Sequence, residues 1–197
     1  MKLTAKESIA WIQSRRSIYP KTFDKSEKAS KEQIVELLEA ARWAPSHKIT
    51  QPWRFVVFAD KGLEPLVKFQ IEMLQMSNAA SEIVEMKSAK LKLKAEQSSA
   101  IIAIIMNRDE LKRVPEWEEM CAVACAVQNI ALHASSLGLG GYWSTGSFTN
   151  HDKMRSYLGL KEQDVHLGWY YLGVSKNDRE VKRSRLEVED FAEFRLG

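Results

Sequence analysis

Four short stretches of the chain concentrate side chains suited to gripping an anion or lying against a flat ligand. Arg15, Arg16 and Ser17 follow a helical stretch. Two guanidiniums and a hydroxyl can hold a phosphate, because arginine donates bidentately to its oxygens. Adjacent arginines at a helix end also suit the helix dipole, so the trio alone does not specify a ligand. The second stretch, Pro45-Ser46-His47-Lys48-Ile49-Thr50-Gln51-Pro52-Trp53, is a polar loop bracketed by prolines. Such loops, anchored on rigid elements, commonly carry function, although a plain connection has the same composition. The third runs from Gly138 to Gly146 and includes Trp143, Ser144 and Thr145. Its glycines let a backbone approach a flat ligand, and Trp143 can cover an aromatic ring or join the core. In the fourth, Lys182-Arg183-Ser184-Arg185, an extended backbone would put Arg183 and Arg185 on one face, facing an anion or water.

The elements that must position these groups are legible from local signals. Thr4 with Glu7 and Ser30 with Gln33 have capping-box spacing, predicting helices over 5–14 and 31–43. Ile34, Leu37, Leu38 and Ala41 make one apolar stripe of the second helix. WRFVVF (53–58), AIIAIIM (100–106), GGYWSTG (140–146) and HLGWYYLGV (166–174) read as strands, the second buried on both faces. Residues 62–99 read as helical, and their lysine-rich stretch KSAKLKLK as a solvated face rather than a lure for an anionic substrate. Pro115 opens a helix over 116–137, with Met120, Val123, Ala124, Val127, Ile130, Ala131 and Ala134 as its buried stripe and Gly138 as its stop. A further helix near 150–158 ends at Gly159. Helices and strands intermix without strict alternation, which predicts an α+β fold. GLGLGG follows a helix and precedes a strand, the reverse of a dinucleotide fingerprint.

Composition narrows the function classes. With 45% hydrophobic and 28% charged residues, the chain has the balance of a globular protein, and its 197 residues suit one domain spanning 1–197. A net charge of +3 argues against a nucleic-acid partner. No apolar run approaches a membrane span, and MKLTAKESIAW lacks the apolar stretch of a signal peptide, so the expected location is the cytoplasm with no membrane partner. Cys121 and Cys125 share a helix face and are expected as small buried core residues, with no metal site.

In order and spacing, RRS at 15–17, APSHKITQPWRFVV at 44–57, AVQNIALHASSLGLGGYW at 126–143 and KRSRL at 182–186 resemble the nitroreductase family of FMN-dependent oxidoreductases. The resemblance covers residues 9–186 and is nearest to the family's shorter bacterial members. It implies an α+β sandwich on a mainly antiparallel sheet flanked by helices, an intertwined homodimer, and FMN at the dimer interface. It also implies that Arg15, Arg16 and Ser17 hold the phosphate and pyrimidine edge, while Ser46, His47 and Gln51 reach the flavin from the partner chain. By the same resemblance Trp143, Ser144, Thr145 and Gly146 line the isoalloxazine, and Arg183 and Arg185 complete the phosphate grip. The implied activity is hydride transfer from NAD(P)H through flavin N5 to a small oxidised acceptor, such as a nitroaromatic or quinone, by a ping-pong mechanism. No protein side chain is singled out as catalytic. A non-catalytic flavin binder and a flavin-fragmenting or dehalogenating relative are the alternatives. The chain departs from the family at Ile49 and Thr50, where many members carry Asn two residues before the Gln-Pro-Trp segment, and at Tyr19, where many carry a lysine near flavin N1. His47 or Lys48 is the expected substitute cation.

Overall fold

The computed structural model describes residues 3–176 and 184–196. Both predicted capping boxes form: in each, the hydroxyl accepts the backbone N–H three residues on and the acid or amide reaches back. They start α1 (Ala5–Ser14) and α2 (Lys31–Arg42). β1 (Trp53–Ala59) follows, then α3 (Leu63–Gln75) and α4 (Ser81–Gln97), so the helical stretch expected over 62–99 is two helices. β2 (Ala100–Met106), α5 (Glu116–Ser136), β3 (Leu139–Ser144), α6 (Asp152–Tyr157), β4 (Val165–Val174) and the short α7 (Val188–Phe191) complete the order. Gly138 (φ 70°) and Gly159 (φ 61°) end α5 and the turn after α6 in the left-handed region, where a Cβ would be strained.

The four strands form one antiparallel sheet in the order β1-β2-β4-β3. Because side chains alternate across a strand, β2 feeds two cores. Ile102, Ile104 and Met106 pack with α2 and α5 on one face; Ile101, Ala103 and Ile105 pack with α3, α4 and α6 on the other. The result is an α+β sandwich with helices on both faces. Among the described residues no helix is long and apolar enough to cross a membrane. Buried Glu119 pairs with Arg108, whose second nitrogen donates to the Val114 carbonyl at 2.8 Å, fastening the segment after β2 to the start of α5.

The expected burial of the two cysteines is overturned. Cys121 and Cys125 are exposed, and so is Ala124. Val123, Val127, Ile130 and Ala134 of the expected stripe are buried and Met120 and Ala131 half-buried, while docking between α2 and the sheet buries Ala122 and Ala126 in place of Ala124. The tail's apolar residues stand open among the described residues: Leu186, Phe191 and Phe194 are each 67% exposed.

Candidate active site

The strand edge carrying the arginines is built by close packing. Ser17 pairs in parallel with Gly141, and the Ile18 N–H donates to the Gly141 carbonyl at 2.9 Å. A Cβ on Gly140 would stand 2.7 Å from Cβ of Ile18, and one on Gly141 would run into the Tyr170 ring. The glycines expected to admit a ligand therefore admit these two side chains, seating residues 15–19 against β3. The two arginines part company there. Arg16 turns back, its guanidinium donating to the Gln13 and Arg15 carbonyls at 2.6 Å each, so it closes the end of α1. The Arg15 guanidinium has no hydrogen-bond partner among the described residues. It lies near the buried Tyr170 hydroxyl, whose pKa burial raises and Arg15 partly lowers again. Ser17 is exposed.

An aromatic floor leads from this edge into a cleft under α4. Tyr19 lies 4.5 Å from Tyr142, and Tyr142 lies 6.4 Å from Tyr171, ring centre to ring centre. The cleft, of 260 Å³, has Trp169 and Tyr171 on its floor, Gly146, Ser147 and Phe148 at one margin, and Lys87, Lys90 and Lys94 along one wall. Their three- and four-residue spacing puts these lysines on one stripe of the helix. The stretch expected to be a solvated face thus lines a pocket, and Lys94 is the site residue that sequence reasoning missed. Its spacing was visible, but the surface opposite it was not. The Lys94 ammonium stands 4.9 Å from the Tyr171 ring centre, within cation–π range. Burial, and then the charge of Lys90, lowers its pKa.

The Ser144–Gly146 turn reaches the cleft through a β-bulge. The register of β2 against β4 shifts between Ile104 and Ile105, opposite Gly168 and His166. Gly146 takes a left-handed φ of 74°, and a Cβ there would lie 2.8 Å from the Trp169 ring. Ser144 ends β3 and Thr145 is exposed, with neither lining the cleft. Trp143 does not line it either: its indole N–H donates to the Leu167 carbonyl at 3.0 Å.

The Ser46–Gln51 loop is strained and distant. Lys48, Ile49 and Gln51 all have left-handed φ, at 52°, 53° and 47°. For a β-branched residue such as Ile49 this is an outlier, and each such residue costs about 1–3 kcal/mol. The surroundings impose it. Ser46 Oγ accepts the Gln51 N–H at 2.9 Å, Lys48 donates to the Arg113 carbonyl at 2.9 Å, and His47 Nδ1 meets the Glu118 carboxylate at 2.6 Å. The loop enters β1 at Trp53, which is level with Met106 and Val165, whereas Ser17 pairs with Gly141, level with Leu172, Ala100 and Ala59. Six residue steps of strand separate the two levels, about 20 Å. One chain therefore does not bring this loop to Arg15. Arg183 lies outside the described residues; Arg185 is exposed and, among the described residues, donates only to the Ser184 carbonyl, at 2.8 Å.

Comparison with known proteins agrees with this architecture. The nitroreductase family signature matches residues 12–174. An Escherichia coli (strain K12) protein named "Putative NAD(P)H nitroreductase YdjA" is 32% identical over 146 residues, covering 72% of this chain and 75% of that one. A nitroreductase-like family protein from Bacillus cereus superposes with a TM-score of 0.83 at 25% identity, over 100% of both chains. A Bacteroides fragilis nitroreductase solved with bound FMN shares the fold, with a TM-score of 0.71 at 20% identity and coverage of 96% and 99%. With its sheet order, its arginine-bearing edge and a signature match over most of its length, the chain belongs to the nitroreductase family.

Proposed function

We propose that this chain is an FMN-dependent oxidoreductase that draws on NADH or NADPH and reduces a small oxidised acceptor, the two substrates taking turns at one site. The observation that carries the reading is the cleft under α4, where an aromatic floor, a lysine wall and a glycine turn meet, and whose Tyr171 is linked through Tyr142 and Tyr19 to the strand edge of Ser17. FMN, when bound, would supply the hydride-transfer chemistry between the nicotinamide and a nitroaromatic, quinone or similar acceptor. The donor set suits that cofactor. Arg15, with no competing hydrogen bond, would take the phosphate, and the Ser17 hydroxyl lies beside it on the same strand edge. Lys94 would hold a partly desolvated positive charge against the anionic reduced ring, the role expected of His47 or Lys48. His47 is instead engaged with Glu118 at the far end of the sheet. Gly146 would lie at the ring edge, and the open cleft leaves room for substrates, which favours an enzyme over a passive flavin carrier.

A homodimer would resolve the separation of the two halves. In it the Ser46–Gln51 loop of each protomer would serve its partner's site. The uncovered tail residues support such an exchange, since Leu186, Phe191 and Phe194 are left exposed among the described residues and need an apolar surface. The exposed Arg185 would travel with them.

The direct test is to release the cofactor by heat, identify it against standards, and follow anaerobic bleaching of the holoprotein by NADH and NADPH. Recovery of FAD, or of no flavin, would contradict the assignment. Arg15→Ala should raise the FMN dissociation constant about tenfold or more, since a hydrogen bond to a charged group contributes about 1.5–3 kcal/mol. Its urea midpoint should hardly move, because the Arg15 guanidinium makes no hydrogen bond among the described residues. Lys94→Gln should lower the flavin reduction potential by about 30–65 mV, the same energy range spread over two electrons. An unchanged potential would remove Lys94 from the flavin.

A further inference from the structure

The wall of the cleft carries more positive charge than the flavin reading uses. Lys87, Lys90 and Lys94 all line it, and no carboxylate does. Other lysines of the chain have acidic partners, such as Lys161 with Glu110 and Lys176 with Asp24. Among the described residues no ion pair involves any of the three cleft lysines. Lys90 and Lys94 instead act on each other, since the charge of Lys90 helps to depress the pKa of Lys94. Like charges one helical turn apart destabilise a helix unless an anion or water intervenes. The surface facing them is aromatic: Trp169 and Tyr171 form the floor and Phe148 the margin. Cations above an aromatic floor suit a flat ligand with an anionic substituent.

Resting on the flavin reading above, we propose that Lys87 and Lys90 form an acceptor subsite that selects small aromatic acceptors bearing a carboxylate or sulfonate. Lys94, the most buried of the three, belongs to the flavin. Lys90 lies one turn from it, about 6 Å along the helix, and Lys87 about 10 Å. An acceptor ring placed over the flavin would reach Lys90 with a substituent on its far side, and Lys87 stands ready behind. Both lysines are exposed, so their attraction should weaken as salt rises.

The test compares 4-nitrobenzoate with the uncharged 4-nitrobenzamide on the FMN-loaded protein. Binding is read from perturbation of the flavin spectrum, and turnover as kcat/KM with NADH and with NADPH. The wild-type protein should favour the anion by about tenfold at low salt. Lys87→Gln/Lys90→Gln should erase that preference by weakening the anion alone, in dissociation constant as well as in kcat/KM. Equal constants for the two ligands in the wild-type protein would overturn the proposal. So would a double variant that loses its use of NADPH relative to NADH while keeping its preference for 4-nitrobenzoate, for the lysines would then read the dinucleotide's extra phosphate. Benzoate binding to flavin-free protein, followed by tryptophan fluorescence, separates the two levels of inference. Failure to find flavin with lysine-dependent benzoate binding intact would sink the flavin reading but not the anion subsite. The converse result would sink only the subsite.

Discussion

Gly168→Ala is expected to destabilise the protein by about 2–6 kcal/mol, combining a strained backbone with an overpacked contact. Gly168 has φ +117°, a conformation L side chains rarely adopt, and a Cβ there would stand 2.5 Å from the Ser144 carbonyl oxygen and 2.8 Å from Thr145 Cα. Both neighbours are backbone, so neither can swing away as a side chain would. The clash falls on the turn that carries Gly146 into the cleft, so the variant should also lose bound flavin before it loses its fold. Urea midpoints measured beside Gly62→Ala make the comparison. Gly62 has no heavy atom within 4 Å of its added methyl and a φ of −75°, so its variant should stay close to wild type. Equal midpoints for the two variants would show that the bulge tolerates a side chain and does not hold the turn.

Stability should also fall by about 3 kcal/mol between pH 6.5 and pH 4, because His166 is buried as the neutral imidazole. His166 is 2% exposed; its Nε2 lies 3.0 Å from the Gly168 carbonyl, its Nδ1 is buried away from water, and its ring meets Trp169 edge-on at 4.7 Å. Burial pushes its pKa down to about 4 from an ordinary 6.5. Below pH 6.5 the unfolded chain takes up a proton that the folded chain refuses, so the unfolded state gains. The contribution is complete above the unfolded value and is lost as pH falls through the folded one. The carboxylates with shifted pKa act lower: Asp109, held at about 2 by Arg113, changes the balance only below its ordinary value of 3.8. Urea unfolding at pH 7.5, 5.5 and 4.5 reads the slope. His166→Leu should flatten it over this window while remaining apolar beside Trp169. A wild-type slope in that variant would assign the acid limb to other groups.

Whatever depended on residues within a turn or two of each other was determined by the sequence alone. Thr4–Glu7 and Ser30–Gln33 close their capping boxes because both partners lie on one helical turn. Gly138 and Gly159 end their segments because only the local φ matters there. The apolar run at 100–106 became the doubly buried central strand for the same reason: a continuous apolar pattern has one stable environment. Residue types and order also announced the arginine edge and the polar loop before β1. Tertiary structure decided what each of these faces. Gly140 and Gly141 serve Ile18 and Tyr170, and nothing near them in sequence says so. Cys121 and Cys125 are exposed because two surfaces compete for one apolar helix and leave a third stripe uncovered. Lys87, Lys90 and Lys94 would look the same on a solvated helix, and the docking of α4 over Trp169 and Tyr171 turns them into a wall. The separation of Arg15 from the Ser46–Gln51 loop follows from strand register, which places Ser17 beside Gly141 at one end of the sheet and Trp53 beside Met106 at the other. Register is set by cross-strand packing among residues far apart in the chain, so local spacing carries no trace of it.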